Sequence, residues 1–565
     1  MTSVAPFLVF FAGAALAAVT SGRLRQAILL AVPLVGAVNL FFLPTGSVAG
    51  ISLFDYTLVP LRVDKLSLVF GWVFHLAAFL GVVYALHVRD GVQHVSGLLY
   101  AGSSIGAVFS GDLISLFVFW ELTAITSVFL ILARRREGNQ AVAIRYLVIQ
   151  VLSGMFLLAG VLLLVWHSGS IAFDYIGLDV PGGWLILLGF GIKCAFPLLH
   201  GWLTDAYPEA TPTGTIFLSA FTTKLAVYTL ARGFPGTEML VYVGATMTMF
   251  PIFYAVIEND LRRVLSYSLI NQVGFMVTGV GIGTELAING AAAHAFVHIV
   301  YKALLFMSMG AVLDRTGKID GSELGGLYKS MPLTTLFCIV GAASISAFPL
   351  FSGFVAKAMI LAAALHEGYV VVWLLLLFAS AGVFHHSGIK IPYFAFFAHD
   401  SGIRCQEARP NMLIAMGLAA FVCIFVGVYP WPLYALLPYP VDFEPYTVSH
   451  VLTQCQLLFY SALAFVFLQL TKLYPPELPG VNIDVEWVYR RFLPRLIRGL
   501  AGVLGPVQVA MHAFAREAAY DRLFVRLYRY ISPEGVLART WTTGSAIFAV
   551  IFVFAIVLLF SYVST

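Results

Sequence analysis

The chain has 565 residues, of which 60% are hydrophobic and only 11% are charged, and its mean hydropathy is +0.92. These values exclude a soluble multidomain protein and are typical of a polytopic membrane protein. The formal net charge of +4 is too small to indicate nucleic-acid binding. The five cysteines show no paired spacing, so the sequence indicates neither a disulfide framework nor a metal site.

Apolar stretches of about 20 residues, long enough to cross a bilayer, recur through the whole chain. About sixteen spans are predicted, at residues 5–20, 26–44, 66–87, 94–110, 112–133, 141–166, 183–207, 212–232, 238–257, 262–281, 285–313, 332–366, 369–397, 410–429, 451–471 and 544–563. Between the second and third, the run ISLFDYTLVPLRVD alternates apolar and polar residues, which predicts a short surface hairpin. The fold class predicted is therefore all-α and polytopic.

The loops between these spans differ in basic content. When the spans alternate in direction, most loops rich in Arg and Lys fall on one side of the membrane. Loops 167–182, 281–285 and 366–369, which hold no Lys or Arg, fall on the other side. The positive-inside rule then predicts a multi-pass protein of the inner (plasma) membrane with both termini outside.

A short sequence occurs twice and interrupts two of the spans. Ala195-Phe196-Pro197-Leu198-x-x-Gly201 returns as Ala347-Phe348-Pro349-Leu350-x-x-Gly353, at an offset of 152 residues. Proline breaks a helix, so the spans at 183–207 and 332–366 are predicted to be discontinuous at Pro197 and Pro349.

The two broken spans belong to two sets of five helices, at residues 94–232 and 238–397. Because five is odd, the second set enters the membrane from the opposite side, which predicts an inverted repeat of the kind found in transporters. The remaining predicted regions are N-terminal helices at 1–93, additional helices at 398–475, an Arg-rich interfacial segment at 476–543 and a C-terminal span at 544–565.

Several lysines lie inside the spans, whereas the arginines are mostly confined to loops and to the C-terminal region. The chain has nine lysines, and the four that lie well within predicted spans are Lys193, Lys224, Lys302 and Lys357. A desolvated lysine can shift its pKa by several units and release a proton near neutrality, whereas arginine keeps its proton in proteins. This distribution favours a proton relay inside the membrane.

Asp112 begins the predicted span 112–133, where capping of the helix N-terminus explains a carboxylate, whereas Glu121 is an acid deep inside this span. A lone carboxylate at such a position costs about 2.5–3.5 kcal/mol, so it needs a partner, and Lys193 is the partner that we predict. Separation of the pair would lower the pKa of the lysine and its return would raise it. The alternative is a static ion pair that only fixes helix packing.

His294, His298 and Lys302 are spaced four residues apart and therefore share one helix face. Two histidines at this spacing can bind zinc, but no third ligand is evident and the lysine would repel a metal ion. We expect these groups to bridge two half-channels, and the alternative is a pair of packing histidines.

Two further polar clusters stand near the ends of this line of residues. The first cluster is His200, Asp205 and Glu209. The second cluster is His385, His386 and Lys390. The acids of the first either line an entrance or cap the following helix. The second either forms an exit or consists of basic groups that extend to the membrane surface.

Five segments together resemble the antiporter-like subunit family: FVFWEL, KCAFPLLHGWLTDAYPEATPTG, FTTKLAVY, HAFVHIVYKALLF and FPLFSGFVAKAMIL. That family comprises the proton-pumping membrane subunits of respiratory complex I and the large subunits of Mrp-type cation/proton antiporters. The resemblance covers about residues 60–430 and implies fourteen core helices with two inverted five-helix repeats. The additional span at 451–471 and the Arg-rich segment that precedes the final span depart from that pattern. The resemblance also implies a Glu–Lys pair at Glu121 and Lys193, a bridging Lys224, a central His/Lys helix and a relay lysine at Lys357. A lysine at that last position is more similar to the D-type Mrp protein, since some complex I members carry glutamate there.

These observations predict a proton-translocating subunit of a multisubunit cation/proton antiporter, with Na⁺ (or K⁺) as counter-ion and other membrane subunits as partners. One alternative is a subunit of a redox-driven pump of the complex I or membrane hydrogenase type. Another is a non-transporting membrane scaffold. The sequence holds no Cys cluster, nucleotide fingerprint or haem motif, so we expect no cofactor and a transporter subunit rather than an enzyme. The Arg-rich segment either docks a neighbouring subunit or is only a connector.

Overall fold

The computed structural model describes residues 4–478, 480, 482–516, 524–532, 535 and 542–563. The chain divides into two units, Met1–Glu486 and Trp487–Thr565. The helices of the first unit are α1 (Pro6–Val19), α2 (Gly22–Phe41), α3 (Lys65–Ala85), α4 (Gly91–Phe109), α5 (Leu113–Leu132), α6 (Asn139–Ser168), α7 (Gly183–Cys194), α8 (Gly201–Ala206), α9 (Gly214–Ala220), α10 (Thr222–Gly233), α11 (Glu238–Ile257), α12 (Leu261–Ile282), α13 (Glu285–Thr316), α14 (Pro332–Ile345), α15 (Ser352–His366), α16 (Val370–Val383), α17 (Pro410–Val428), α18 (Trp431–Leu436) and α19 (Val448–Leu470).

Short segments complete the first unit. A 3₁₀ turn lies at Leu327–Lys329, and π-helical segments at Phe384–Lys390 and Tyr393–Phe397 continue the line of α16. Strands β1 (Gly46–Leu53) and β2 (Tyr56–Val63) pair antiparallel, from Gly46 opposite Val63 to Leu53 opposite Tyr56. The hairpin predicted between the second and third spans is therefore confirmed.

The second unit is helical in its described parts. It contains a π-helical turn at Val488–Phe492, α20 (Leu493–Arg516), α21 (Val525–Ile531) and α22 (Thr543–Val563). Within the predicted Arg-rich segment, the described residues 488–516 and 525–531 lie on helices. The unit begins at Trp487, so the described residues between 476 and 486, which the sequence places in that segment, belong to the first unit.

The all-α polytopic fold class is confirmed. Over the described residues, eleven helices are long and apolar enough to cross a membrane, or up to twelve if one bent pair in the second unit counts as a span. The difference from sixteen predicted spans has local causes. Three of the predicted spans are present as helices too short to count singly, two of them divided at a proline, and the C-terminal span counts only over Thr543–Val557. Helix α4 is long enough but carries Gln93, His94 and three serines.

The centre of the first unit is formed by α9, α10, α12 and α13, which are almost wholly buried. In contrast, α19 exposes most of its apolar side chains. In a membrane the outer helices meet lipid, which is as apolar as leucine, so exposed leucines at the periphery are expected. Lys224 on α10 and Lys302 on α13 are therefore remote from both water and lipid.

The two five-helix sets share their local backbone features. Asp112 begins α5 and forms an isolated bridge with Ala172, and Asp260 begins α12 and forms the same bridge with Asp320, at an offset of 148 residues. Both aspartates accept hydrogen bonds from backbone N–H groups of the first helical turn. The sequence predicts this capping role for Asp112, and the structure confirms it.

The two predicted helix breaks have the same backbone geometry. Helices α7 and α14 end in a left-handed residue, with φ of 63° at Ala195 and 55° at Ala347. The leucine after each proline is also left-handed, with φ of 70° at Leu198 and 72° at Leu350. Non-glycine residues adopt this conformation at a cost on the order of 1 kcal/mol or more, which the surrounding packing must offset. Each break therefore brings helix-end carbonyls into the bundle, where they can accept hydrogen bonds from side chains.

Candidate functional site

The four lysines predicted to lie inside the membrane are buried. Lys193, Lys224 and Lys302 are 0% exposed and Lys357 is 2% exposed. A buried amine is costly unless it finds hydrogen-bond acceptors or an opposite charge. The acceptors of each lysine therefore indicate what the arrangement can do.

Lys193 lies one residue before the end of α7 and binds to α5. Its Nζ donates to the Trp120 carbonyl and, at 2.8 Å, to Thr123 Oγ1, and it lies 4.4 Å from the centroid of the Trp120 ring. The predicted ion pair with Glu121 is not formed: no described carboxylate lies within 4.0 Å of this amine. The lysine instead binds Trp120 and Thr123, which flank Glu121 in the sequence, because the side chain of Glu121 is directed towards α6.

Glu121 is turned towards α6. Its Oε1 atom is buried without a hydrogen-bond partner among the described residues, and it lies where a side chain on Gly154 would begin. A Cβ atom at Gly154 would be only 1.5 Å from Oε1. The absence of a side chain at Gly154 therefore makes room for the carboxylate, a requirement that the sequence reasoning missed.

Gly154→Ala is expected to force Glu121 out of this position, because a flexible carboxylate moves more easily than two packed helices. If Glu121 acts in transport, cation/proton exchange by the assembled complex should fall at least about tenfold, equivalent to about 1.4 kcal/mol. Gly417→Ala in α17 is the matched control, since its new Cβ would meet Phe337 at an ordinary 3.4 Å. Equal exchange by both variants in vesicles would show that the position of Glu121 is unimportant.

Lys224 lies at an interruption that the sequence does not predict. The single span expected at 212–232 is divided into α9 and α10 at Phe221. Lys224 Nζ donates at 2.6 Å to the Ser219 carbonyl and at 3.3 Å to Thr223 Oγ1. The lysine thus binds a carbonyl at the end of α9, as Lys193 binds a carbonyl of α5.

The predicted shared face of α13 is confirmed, and its three groups differ in their partners. His294 Nε2 is 3.1 Å from Gln272 Oε1 and 3.0 Å from the Tyr301 hydroxyl, which itself donates to Gln272. Gln272 and Tyr301 complete this network, and the sequence reasoning missed both. Within the part of the chain that the structure describes, both His298 nitrogens and Lys302 Nζ lack a hydrogen-bond partner.

Lys357 lies on α15, after the second helix break. Its Nζ donates at 3.2 Å to the carbonyl of Ile345, the last residue of α14, and lies 4.9 Å from the centroid of the Phe275 ring. Ile345 occupies the position in the second set that Lys193 occupies in the first. Lys193 therefore lies before the first break and Lys357 lies after the second. The amine of Lys357 binds the backbone carbonyl of Ile345, the residue equivalent to Lys193.

The first polar cluster is engaged in ion pairs. Arg145 holds Asp205 through two hydrogen bonds of 2.7 and 3.0 Å, and Glu209 is 3.3 Å from Arg134. His200 is buried, and its Nε2 lies 3.1 Å from Asp484. Neither acid of the cluster caps α9, since Thr211 accepts from the backbone N–H of Gly214 at the start of that helix.

In the second cluster, His386 and Lys390 are buried and His385 is partly buried. His385, His386 and Lys390 lie on the π-helical segment Phe384–Lys390. Lys390 is 0% exposed, donates to the carbonyls of Val256 and Glu258, and lies 2.9 Å from Glu477. The alternative that this lysine extends to the membrane surface is therefore wrong, because a carboxylate and two carbonyls satisfy it inside the protein.

Among the described residues, no group of three or more His, Cys, Asp or Glu side chains is placed to hold a metal ion. The groups that the site does bring together are amines, imidazoles and carboxylates. Such groups can accept and release protons, and they lie on α5, α7, α10, α13 and α15.

Comparison with known sequences identifies relatives of two kinds. The family model described as NADH:quinone oxidoreductase/Mrp antiporter, TM, matches residues 110–385. The D subunit of the Na(+)/H(+) antiporter of Alkalihalophilus pseudofirmus is 33% identical over 306 residues, which cover 49% of this chain and 62% of that protein. The N subunit of the NADH-quinone oxidoreductase of Desulforudis audaxviator is 31% identical over 341 residues, which cover 55% of this chain and 67% of that protein.

Solved structures share the fold. A chain of the Mrp complex from a Dietzia species has a TM-score of 0.69 at 23% identity, with 80% of this chain and 98% of that chain covered. A chain of the archaeal membrane-bound sulfane sulfur reductase has a TM-score of 0.70 at 22% identity, with 99% of both chains covered.

The sequence matches are partial in length. The chain covers less than two thirds of the first curated relatives: 62% of the D protein and 52% of the A protein of the Alkalihalophilus pseudofirmus antiporter. The matched region nevertheless contains both helix breaks and the buried lysines from Lys193 to Lys357. The chain therefore belongs to the NADH:quinone oxidoreductase/Mrp antiporter transmembrane family.

Proposed function

We propose that this chain is a proton-translocating subunit of a multisubunit Na⁺/H⁺ antiporter. The observation that carries the proposal is that Lys193, Lys224 and Lys357 are buried and bound to carbonyl or hydroxyl oxygens rather than to carboxylates. A carboxylate partner would hold each amine in its charged form, whereas a carbonyl accepts a hydrogen bond from both the charged and the neutral amine. Each lysine can therefore change its protonation state without losing its partner.

The proposed path runs through the centre of the bundle. The charge of Lys224 acts on His298 and Lys302, and the charge of Lys357 acts on His294 and His298. These residues are close enough to influence one another, so a proton that arrives at one changes the affinity of the next. A coupled series of this kind passes charge laterally from the first helix set to the second.

Glu121 supplies the first change in charge in this proposal. In the structure it is turned to Gly154 while Lys193 binds Trp120 and Thr123. A rotation of the glutamate towards Lys193 would hold the amine charged, and its return to Gly154 would favour release of the proton to Lys224. In this proposal, the arrangement with Glu121 at Gly154 is the separated state of the pair.

Partners and counter-ion follow from the relatives. The Alkalihalophilus pseudofirmus D protein is named as part of a Na(+)/H(+) antiporter, and the similar solved chains belong to membrane complexes. We accordingly propose that this chain assembles with other membrane subunits in the plasma membrane, with both termini outside, and that Na⁺ is exchanged for protons.

A second candidate is a redox-driven proton pump. The chain of the sulfane sulfur reductase matches this chain over 99% of its length, including the C-terminal helices, whereas the Mrp chain matches 80%. This likeness concerns the fold, and it favours a complex in which partner subunits supply the electron transfer. The relay in this chain would be the same.

The two candidates differ in what drives proton movement. The assembled complex, reconstituted in vesicles with a pH-sensitive dye, should move protons when a Na⁺ gradient is imposed without any electron donor. Proton movement only on addition of an electron donor and acceptor would favour the redox-driven candidate. Absence of movement under both conditions, in a complex with all its subunits, would favour a scaffold.

A further inference from the structure

A segment of the first unit that follows α19 carries two buried carboxylates, and both contact polar residues elsewhere in that unit. We name this segment the strap, and its described residues are 471–478, 480 and 482–486. Asp484 of the strap contacts His200 beside the first helix break, and Glu477 contacts Lys390 after α16. Asn482 donates at 3.1 Å to Glu258 Oε2, which places the strap against the loop between α11 and α12.

Asp484 is held as a charged group. His200 Nε2 lies 3.1 and 3.2 Å from its two oxygens, the Tyr267 hydroxyl donates at 2.7 Å, and the Val485 backbone N–H donates at 2.6 Å. Burial acts to raise the pKa of the Asp484 carboxyl, but these hydrogen bonds outweigh burial and hold the pKa below its usual value.

The pairing with Asp484 determines which ring nitrogen of His200 carries a proton. An ionised carboxylate accepts only, so His200 Nε2 must carry a proton. The other ring nitrogen, Nδ1, is buried without a partner among the described residues. Asp484 thus leaves His200 with one nitrogen available to exchange a proton, as a carboxylate does when it orients a catalytic histidine.

The pKa of Glu477 is shifted in the opposite direction to that of Asp484. The Glu477 side chain is 6% exposed and its Oε1 lies 2.9 Å from Lys390 Nζ. Burial raises the pKa of the Glu477 carboxyl above its usual value, against the opposing effect of the lysine charge. The groups that face it are Lys390, Glu258 and the Tyr474 hydroxyl. Glu477 therefore takes up a proton more readily than an ordinary glutamate does.

We propose that the strap supplies the terminal proton-carrying groups of the relay: Glu477 exchanges a proton with Lys390, and Asp484 orients His200 for the same purpose. In the first step the O–H bond of a protonated Glu477 breaks and an N–H bond forms on neutral Lys390, which yields the carboxylate–ammonium pair observed. The reverse step releases the proton. The proposal rests on the proposed function, since it requires that protons cross this chain.

Because one short segment carries both carboxylates, it places a proton-exchanging group at each of the two helix sets. Sequence patterns could not indicate this, since Asp484 is 284 residues from His200 and the strap lies beyond the family match. Glu477 and Asp484 are positioning and proton-carrying residues in this account, distinct from the lysines inside the bundle.

The test is the pH profile of exchange by the assembled complex with Glu477→Gln and with Asp484→Asn. In the wild type, falling pH protonates Glu477 and leaves Lys390 without its ionised partner, so exchange should fall on the acidic side of the profile as Glu477 titrates. Glu477→Gln should lower exchange at least about tenfold and remove this acidic limb of the profile. Asp484→Asn should lower exchange similarly, because an amide can donate as well as accept and no longer holds a proton on His200 Nε2, while Tyr267 and Tyr254 still face the position.

The control is Glu367→Gln, which removes an exposed acid that pairs with His366 at 3.2 Å and should leave the profile unchanged. Wild-type rates and profiles in both strap variants would overturn the inference; if Lys193→Ala abolishes exchange in the same assay, the proposed function stands without it. Wild-type exchange by Lys193→Ala would instead refute the proposed function. If Glu477→Gln fails to assemble, Glu477→Asp decides, because the shorter carboxylate still titrates: a shifted acidic limb supports the inference and an unshifted one overturns it.

Discussion

Lys193→Ala is expected to abolish cation/proton exchange by the assembled complex, with a loss of about 100-fold or more, as is typical for removal of a group that transfers a proton. The amine is the titratable group that α7 brings to the Glu121 region, and its acceptors Trp120 and Thr123 cannot replace it. Lys193→Arg should fail as well, because arginine keeps its charge but does not release its proton. Exchange is measured in vesicles with a pH-sensitive dye under an imposed Na⁺ gradient.

Lys318→Ala provides the matched control for this prediction. Lys318 is 45% exposed and forms a surface ion pair with Glu323, so the same change of charge and side chain should leave exchange intact. Full exchange by Lys193→Arg would contradict the relay, because it would show that a fixed positive charge is sufficient. Loss of exchange together with loss of assembly would point to packing, and this is checked by the subunit content of the purified complex.

Lys302→Met is expected to abolish exchange and at the same time to raise the thermal stability of the complex. Lys302 Nζ is 5.8 Å from the centroid of the Phe306 ring and has no hydrogen-bond partner in the described structure. An unpaired buried amine destabilises the fold, so a methionine of similar length should stabilise it by on the order of 1 kcal/mol. A group kept at a cost in stability is typical of a functional position.

Lys224→Met is the comparison variant for the predicted change in melting temperature. Lys224 donates to the Ser219 carbonyl and Thr223, so its removal leaves a buried acceptor without a partner and should lower the melting temperature. Both variants should lose exchange, but their melting temperatures should move in opposite directions. A fall in the melting temperature of Lys302→Met would indicate that the amine has a structural role.

The positions of the relay lysines and the two helix breaks could be predicted from the sequence. Each rests on a local property: a lysine in an apolar run is conspicuous, and a proline removes a backbone donor wherever it occurs. The hairpin β1–β2 was predictable for the same reason, since its alternation is contained within fourteen residues. The local sequence also predicted the cap at Asp112.

Contacts between distant segments could not be predicted. The separation of Glu121 from Lys193 depends on the rotamer of Glu121 and on the space that Gly154 leaves on α6. Lys390 and Glu477 are far apart in the sequence, so no helix or strand periodicity indicates that they form a pair. Hydropathy also does not register the interruption at Phe221, which divides the predicted span 212–232 into α9 and α10 without a proline or glycine.

The central claim is that one relay joins both helix sets, and Lys357→Ala tests it most directly. Lys357 lies on α15, in the second set, and contacts Ile345 and the ring of Phe275. A relay confined to the first set would not need it. Exchange measured in vesicles with the fully assembled variant complex should fall to the level of vesicles without protein. Exchange at the wild-type rate would contradict the account.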